Sequence, residues 1–191
     1  DILRRDFIVP IDYKNVPASW RIDEPQITEV KVFLQGPAQA FQLFDERTLK
    51  LSLDLSGIAE KKRDFTLTKD MLNAPSYLSV AEIVPGKIRV YASRLIPYTL
   101  PVNIITRNSL ADDLSLQKIT VNPPAIKVLI DNRLRPDQVK IETEPIDLQK
   151  ITETTAMAVK LVLPAGVFFP EGKTPAAYVT VKVKKKLPRV R

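Results

Sequence analysis

The sequence contains no cysteine and no histidine. Without cysteine there is no disulfide framework, no thiolate metal site and no thiol redox chemistry. The missing histidine excludes more, since it is the side chain that titrates near neutral pH and the commonest transition-metal ligand. A histidine-dependent triad and an HExxH zinc motif are both ruled out. Glycine is scarce: five residues, each standing alone, so no glycine-rich loop can cradle a phosphate. The same scarcity argues against a sheet built from two-residue hairpins, whose primed turns need glycine. No run approaches the roughly 20 apolar residues of a membrane-spanning helix, and nothing resembles a signal peptide.

What is present describes a globular chain. Its 191 residues are 45% hydrophobic and 27% charged, an ordinary balance for a folded protein. Leu49-Lys50-Leu51-Ser52-Leu53-Asp54-Leu55 alternates strictly between apolar and polar positions. A period of two over such a run gives a strand with one buried face and one wet face. Glu29–Leu34, Phe65–Thr68, Lys87–Tyr91, Ala125–Ile130, Gln138–Thr143, Ala158–Leu163 and Tyr178–Val183 read as further strands. The 16 prolines fall mostly between these runs, where their missing N–H breaks no ladder. One short helix is expected at 37–44, with Pro37 in its first turn and Ala40, Phe41 and Phe44 at helical spacing. The fold class is all-β, with one or two short helical turns.

The chain says nearly the same thing twice. Val9-Pro10-Ile11-Asp12 returns as Leu100-Pro101-Val102-Asn103, and Val30-Lys31-Val32 as Ile126-Lys127-Val128. Leu53-Asp54-Leu55 returns as Ile146-Asp147-Leu148, and Pro85–Val90 as Pro175–Val181. Order is kept at offsets of 90 to 96 residues, far longer than a solenoid repeat. Two tandem, similar, irregular β domains are therefore expected, over 1–92 and 93–191.

The formal charge of +7 is unevenly placed. Residues 1–92 are balanced, and 93–181 carry a slight basic excess. Lys182–Arg191 holds six basic side chains and no acid. A basic block of this kind is a solvated terminus or linker, or else an attachment to anionic lipid or another polyanion. Nucleic acid is disfavoured, because Tyr13, Tyr77, Tyr91, Tyr98 and Tyr178 form no aromatic ladder.

No catalytic, cofactor-binding or metal-binding set emerges from the residues. Asp54 and Asp147 occupy equivalent strand ends in the two repeats, where an aspartate commonly closes an Asx-type turn on nearby backbone N–H groups. Gly36-Pro37 marks a turn into the short helix. Trp20, the single tryptophan, with Arg21 beside it, either anchors an interface or packs across the edge of its own core. Lys184, Lys185 and Lys186 are the candidate contacts of the basic end.

Taken in order, the repeated pieces resemble the YbbR domain family. The opening element is matched by Val9-Pro10-Ile11-Asp12-Tyr13-Lys14-Asn15-Val16-Pro17, and a strand ending in Gly-Pro by Val30–Pro37. Leu53-Asp54-Leu55-Ser56-Gly57 and the closing Pro85–Val90 complete the first unit. Thr120–Val128 and Glu144–Leu148 repeat the pattern, but Ile130-Asp131-Asn132 stands where Gly-Pro would. The resemblance implies small, mostly β domains in tandem outside the bacterial cytoplasmic membrane, behind one N-terminal transmembrane helix. It implies no catalytic residues. It also implies a membrane-protein partner, in the best-known members a diadenylate cyclase that makes cyclic di-AMP. On this reading the chain, which begins at Asp1 without Met, is a fragment whose anchor lies outside it. Three functions compete: a non-enzymatic regulatory or scaffolding ectodomain, a β module binding a polyanion through its basic end, and an acid–base enzyme. The last requires Asp54 and Asp147 to converge in one cleft.

Overall fold

The computed structural model describes residues 1–24 and 26–188, and it is all-β. The chain divides into two compact units, Asp1–Arg94 and Leu95–Arg191. The division falls inside a strand, two residues beyond the expected join.

The first unit contains β1 (Ile2–Lys14), β2 (Trp20–Ile22), β3 (Glu29–Pro37), α1 (Ala38–Leu43), β4 (Leu51–Asp54), β5 (Lys62–Thr66) and β6 (Ser79–Val84). The first half of β7 (Lys87–Asn103) completes it. One sheet runs β4-β1-β3-β6, with β1 antiparallel to β3 and parallel to β4. β2 and β5 flank the first half of β7. The alternation in 49–55 becomes burial as a period-two strand demands: Leu49, Leu51, Leu53 and Leu55 are at most 2% exposed. They join Val9, Val32, Leu34 and Val90 in a single core, while Lys50 and Asp54 face water.

The second unit takes the rest of β7, then β8 (Thr106–Arg107), β9 (Leu114–Asn122), β10 (Ala125–Asp131), β11 (Ile141–Thr143) and β12 (Ile146–Asp147). It closes with β13 (Thr155–Val159), β14 (Leu161–Val162), β15 (Val167–Phe168) and β16 (Ala177–Lys185). Its pairings repeat those of the first. β7 is antiparallel to β10 and parallel to β11, as β1 is to β3 and β4. β16 lies between β9 and β13, as β7 lies between β2 and β5. Two smaller clusters form its core, one around Val128, Ile130 and Ile141, the other around Val179 and Val181.

In neither unit, among the described residues, are two consecutive strands paired with each other, so the chain makes no hairpin and little use of glycine turns. Two expected strands are corrected. The run 158–163 splits at Lys160 into β13 and β14, which join different partners. Gln138 lies in a one-turn 3-10 helix, leaving only Ile141–Thr143 extended. The helix at 37–44 forms as α1, with Pro37 at its N-cap. Among the described residues no helix is long and apolar enough to cross a membrane.

Candidate functional site

One side-chain geometry repeated in both units is a clasp at the end of a parallel strand pair. Where β1 ends, Asn15 adopts φ +59 and its Nδ2 donates to Asp54 Oδ1 at 3.3 Å. The same oxygen accepts the Ser56 backbone N–H at 2.9 Å. In the second unit Asn108 adopts φ +60, its Nδ2 donates to Asp147 Oδ1 at 2.9 Å, and Gln149 N–H donates to that oxygen at 3.1 Å. All three positions recur at one offset of 93 residues. Asparagine suits the place because it tolerates the left-handed region better than branched residues do. The strand-end aspartates thus close Asx turns and tie two parallel strands together.

Sequence reading found the aspartates and missed their partners. The signal was available in Lys14-Asn15 and Arg107-Asn108, which obey the same offset.

The electrostatics follow from these bonds. Asp54 is held below the ordinary carboxylate range chiefly by the Ser56 backbone N–H, then by the Ser56 and Asn15 side chains. Asp147 is held down chiefly by the Asn108 amide, with help from Gln149 N–H, Arg107 and Lys150. Arg107 approaches Asp147 at 3.5 Å, whereas in the first unit Lys14 turns to Asp12 instead. A general acid needs its carboxyl pushed up, not down. Each aspartate is also bonded within its own unit. A lowered carboxyl contributes stability above the ordinary aspartate range and loses it as pH falls through the folded value.

The other sequence-derived sites land as follows. Trp20 pairs with Arg94 across β2 and β7 and is half-buried against the first core, so its ring serves its own unit. Arg21, the next residue of β2, is exposed. Gly36 allows close packing: a Cβ there would come within 2.7 Å of Leu78 Cδ2.

The basic end needs correction. The expected solvated terminus or linker is largely strand: β16 continues through Lys185, and Lys186 N–H donates to the Asp113 carbonyl at 2.8 Å. Strand alternation continues past Val181 because Lys182 and Lys184 occupy its wet positions. Arg189 and Arg191, also part of that basic end, lie outside the described residues. Lys182 sits directly opposite Lys118 of β9, and both are exposed. Like charges in this position repel.

Two features escaped the sequence reading. Ser115-Leu116-Gln117-Lys118 has the Ser-x-x-Lys spacing of a serine nucleophile with a lysine base. In the fold it lies on β9, and the Ser115 hydroxyl donates to the Lys184 carbonyl at 3.3 Å. Next to Asp147 is an open cleft of about 430 Å³ lined by Arg107, Glu144, Lys150, Met157 and Lys160. Its mixed charges hold no cluster of metal-binding side chains among the described residues.

No protein-family model matches the chain, and no curated protein matches it. Two solved structures are similar in fold. The protein SuR18C of Streptococcus thermophilus is 18% identical, with a TM-score of 0.40 over 51% of this chain and 92% of its own. A YbbR-like protein of Streptococcus pneumoniae TIGR4 is also 18% identical, with a TM-score of 0.42, and the match covers 97% of both chains.

Proposed function

We propose that this chain is the non-enzymatic, extracytoplasmic part of a membrane-anchored bacterial protein that acts through protein contacts. It regulates or scaffolds a membrane partner, a diadenylate cyclase where the organism makes cyclic di-AMP. One observation carries the reading: the side-chain geometry repeated in both units is a structural clasp. The features that differ between units are surfaces, α1 and the groove lined by Phe7, Phe41 and Phe44 in the first and the lysine face of β16 in the second. The ordered YbbR-like motifs support the topology and the class of partner. Cross-linking the full-length protein in membranes of its own organism, then purifying it, tests the proposal. An integral membrane protein is expected to co-purify reproducibly, and recovery of no membrane protein overturns the reading. The gene should also encode about 20 apolar residues directly before Asp1.

The opposition of Lys118 and Lys182 favours a second reading, an anionic ligand at the outer face of β9 and β16. A bound polyanion would relieve that repulsion. Vesicles containing phosphatidylglycerol should then bind in a salt-sensitive way. Replacing Lys118, Lys182 and Lys184 together by glutamine should weaken binding roughly 100-fold, at about 1 kcal/mol per lysine. Unchanged binding by the triple variant rejects this reading.

A further inference from the structure

The edge of β1 is self-complementary, and we propose that it pairs antiparallel with the same edge of a second copy of this chain. Ile11 N–H donates to the Thr28 carbonyl at 2.9 Å, continuing the register of β1 on β3. Antiparallel ladders alternate, so Leu3, Arg5, Phe7 and Val9 turn their backbone groups toward β3. Arg4, Asp6 and Ile8 turn theirs the other way. On that side β4 pairs only from Ile11 onward, with Leu55 N–H donating to the Lys14 carbonyl at 2.8 Å. Among the described residues no strand pairs with the outward side of Arg4, Asp6 and Ile8. The edge therefore presents a row of backbone donors and acceptors, the usual template for strand addition.

The side chains select the occupant and the register. Outward-facing residues must meet outward-facing residues, which leaves few two-fold arrangements. Centring on Asp6 sets Asp6 against Asp6, and centring on Arg4 sets Arg4 against Arg4; both oppose like charges. Centring on Arg5 sets Arg4 against Asp6 twice and Ile2 against Ile8 twice. Those two isoleucines are 70% and 59% exposed in the single chain, and this register covers both.

On the opposite face, the same register sets Leu3 against Phe7. There a groove of about 370 Å³ is lined by Arg5, Phe7, Phe41, Phe44, Glu46 and Arg47. Phe7 meets Phe41 and Phe44 at centroid distances of 6.3 and 5.4 Å, which gives the second copy's leucine an aromatic wall. The two Arg5 side chains face each other. Each lies over its own Phe41 at 5.2 Å, and the acidic residues Asp45 and Glu46 line the same groove as Arg5 and Arg47. The interface is isologous, as a two-fold dimer requires.

Sedimentation of the whole chain from about 10 μM to about 1 mM tests this, with amide exchange read at Arg4, Asp6 and Ile8. Concentration-dependent dimerisation with protection rising at these amides is expected. Arg4→Asp alone and Asp6→Arg alone each place like charges opposite each other and should weaken self-association at least about tenfold. Mixing the two variants restores Asp–Arg pairing at both 4–6 contacts, so the mixture should dimerise although neither variant does alone. Their separate melting curves report folding, since the pairs Arg4–Glu82 and Asp6–Lys31 are exposed and contribute little. A chain that stays monomeric throughout the range overturns the proposal and leaves the edge to an extended segment of another protein. Dimerisation that is indifferent to both substitutions overturns it equally.

Discussion

Leu51→Ala is expected to destabilise the first unit by about 3 kcal/mol, in the range found when buried leucines are truncated to leave a cavity. Leu51 is fully buried, pairs with Ile11 across the parallel β1–β4 contact and bridges to Leu72 on its other side. The duplication makes the prediction sharper. Ile141 is also fully buried and pairs with Val102 at the matching point of the second unit, so Ile141→Ala should carry a similar cost there. Denaturant unfolding followed by resolved amide or methyl signals assigns each loss to its unit. A cost below about 1 kcal/mol at either site would mean that the parallel pair is not part of the core, since such substitutions in well-packed sites run well above that.

Gly166→Ala is expected to cost about 1–2 kcal/mol from the backbone alone, because Gly166 sits at φ +81, where an L side chain is strained. Packing adds to that, since the new Cβ would come within 2.7 Å of Leu134 Cδ1, which must shift. The turn is also tied to the sheet: Asp131 N–H donates to the Gly166 carbonyl at 2.9 Å. Asp131 in turn holds the Arg133 N–H and guanidinium at the end of β10. Gly172, at φ +66 with open space around it, separates the two contributions. Gly172→Ala should carry only the backbone part, and calorimetry on the pair measures the difference.

The sheet elements were legible where one face is buried and the other wet. Leu49 to Leu55 could be read residue by residue because alternation and burial have the same period. Pairing was not legible. Every strand bonds to partners distant in sequence, and β7 carries pairings of both units along one continuous strand. Local pattern does not encode such partners. The run 158–163 looked continuous because Lys160 is one polar residue among apolar ones, yet its carbonyl accepts Glu144 N–H at 2.9 Å and the strand changes partner there. The lysines after Val181 were read by charge as a terminus, while their spacing continues the strand. At the clasp, the aspartates were found through the repeat. Asn15 and Asn108 share the 93-residue offset, but they are single polar residues outside the apolar runs that make the repeat visible. What recurs at one offset is a hydrogen-bonded geometry, and the apolar runs around it drift by several residues.

The two units share a hydrogen-bonded clasp at Asp54 and Asp147, structural in role. Carboxyl carbon NMR titration of Asp54 and Asp147 tests it most directly. Both are expected to titrate below the ordinary aspartate range, Asp54 because Ser56 and Asn15 bond its ionised form, Asp147 because Asn108 and Gln149 do the same. Asn15→Ala should raise Asp54 alone, and Asn108→Ala should raise Asp147 alone. Each substitution should also shift acid unfolding, because the stability a lowered carboxyl supplies disappears as pH falls through its folded value. Either aspartate titrating above the ordinary range, in the intact chain, would contradict the account and point to a proton-transfer site.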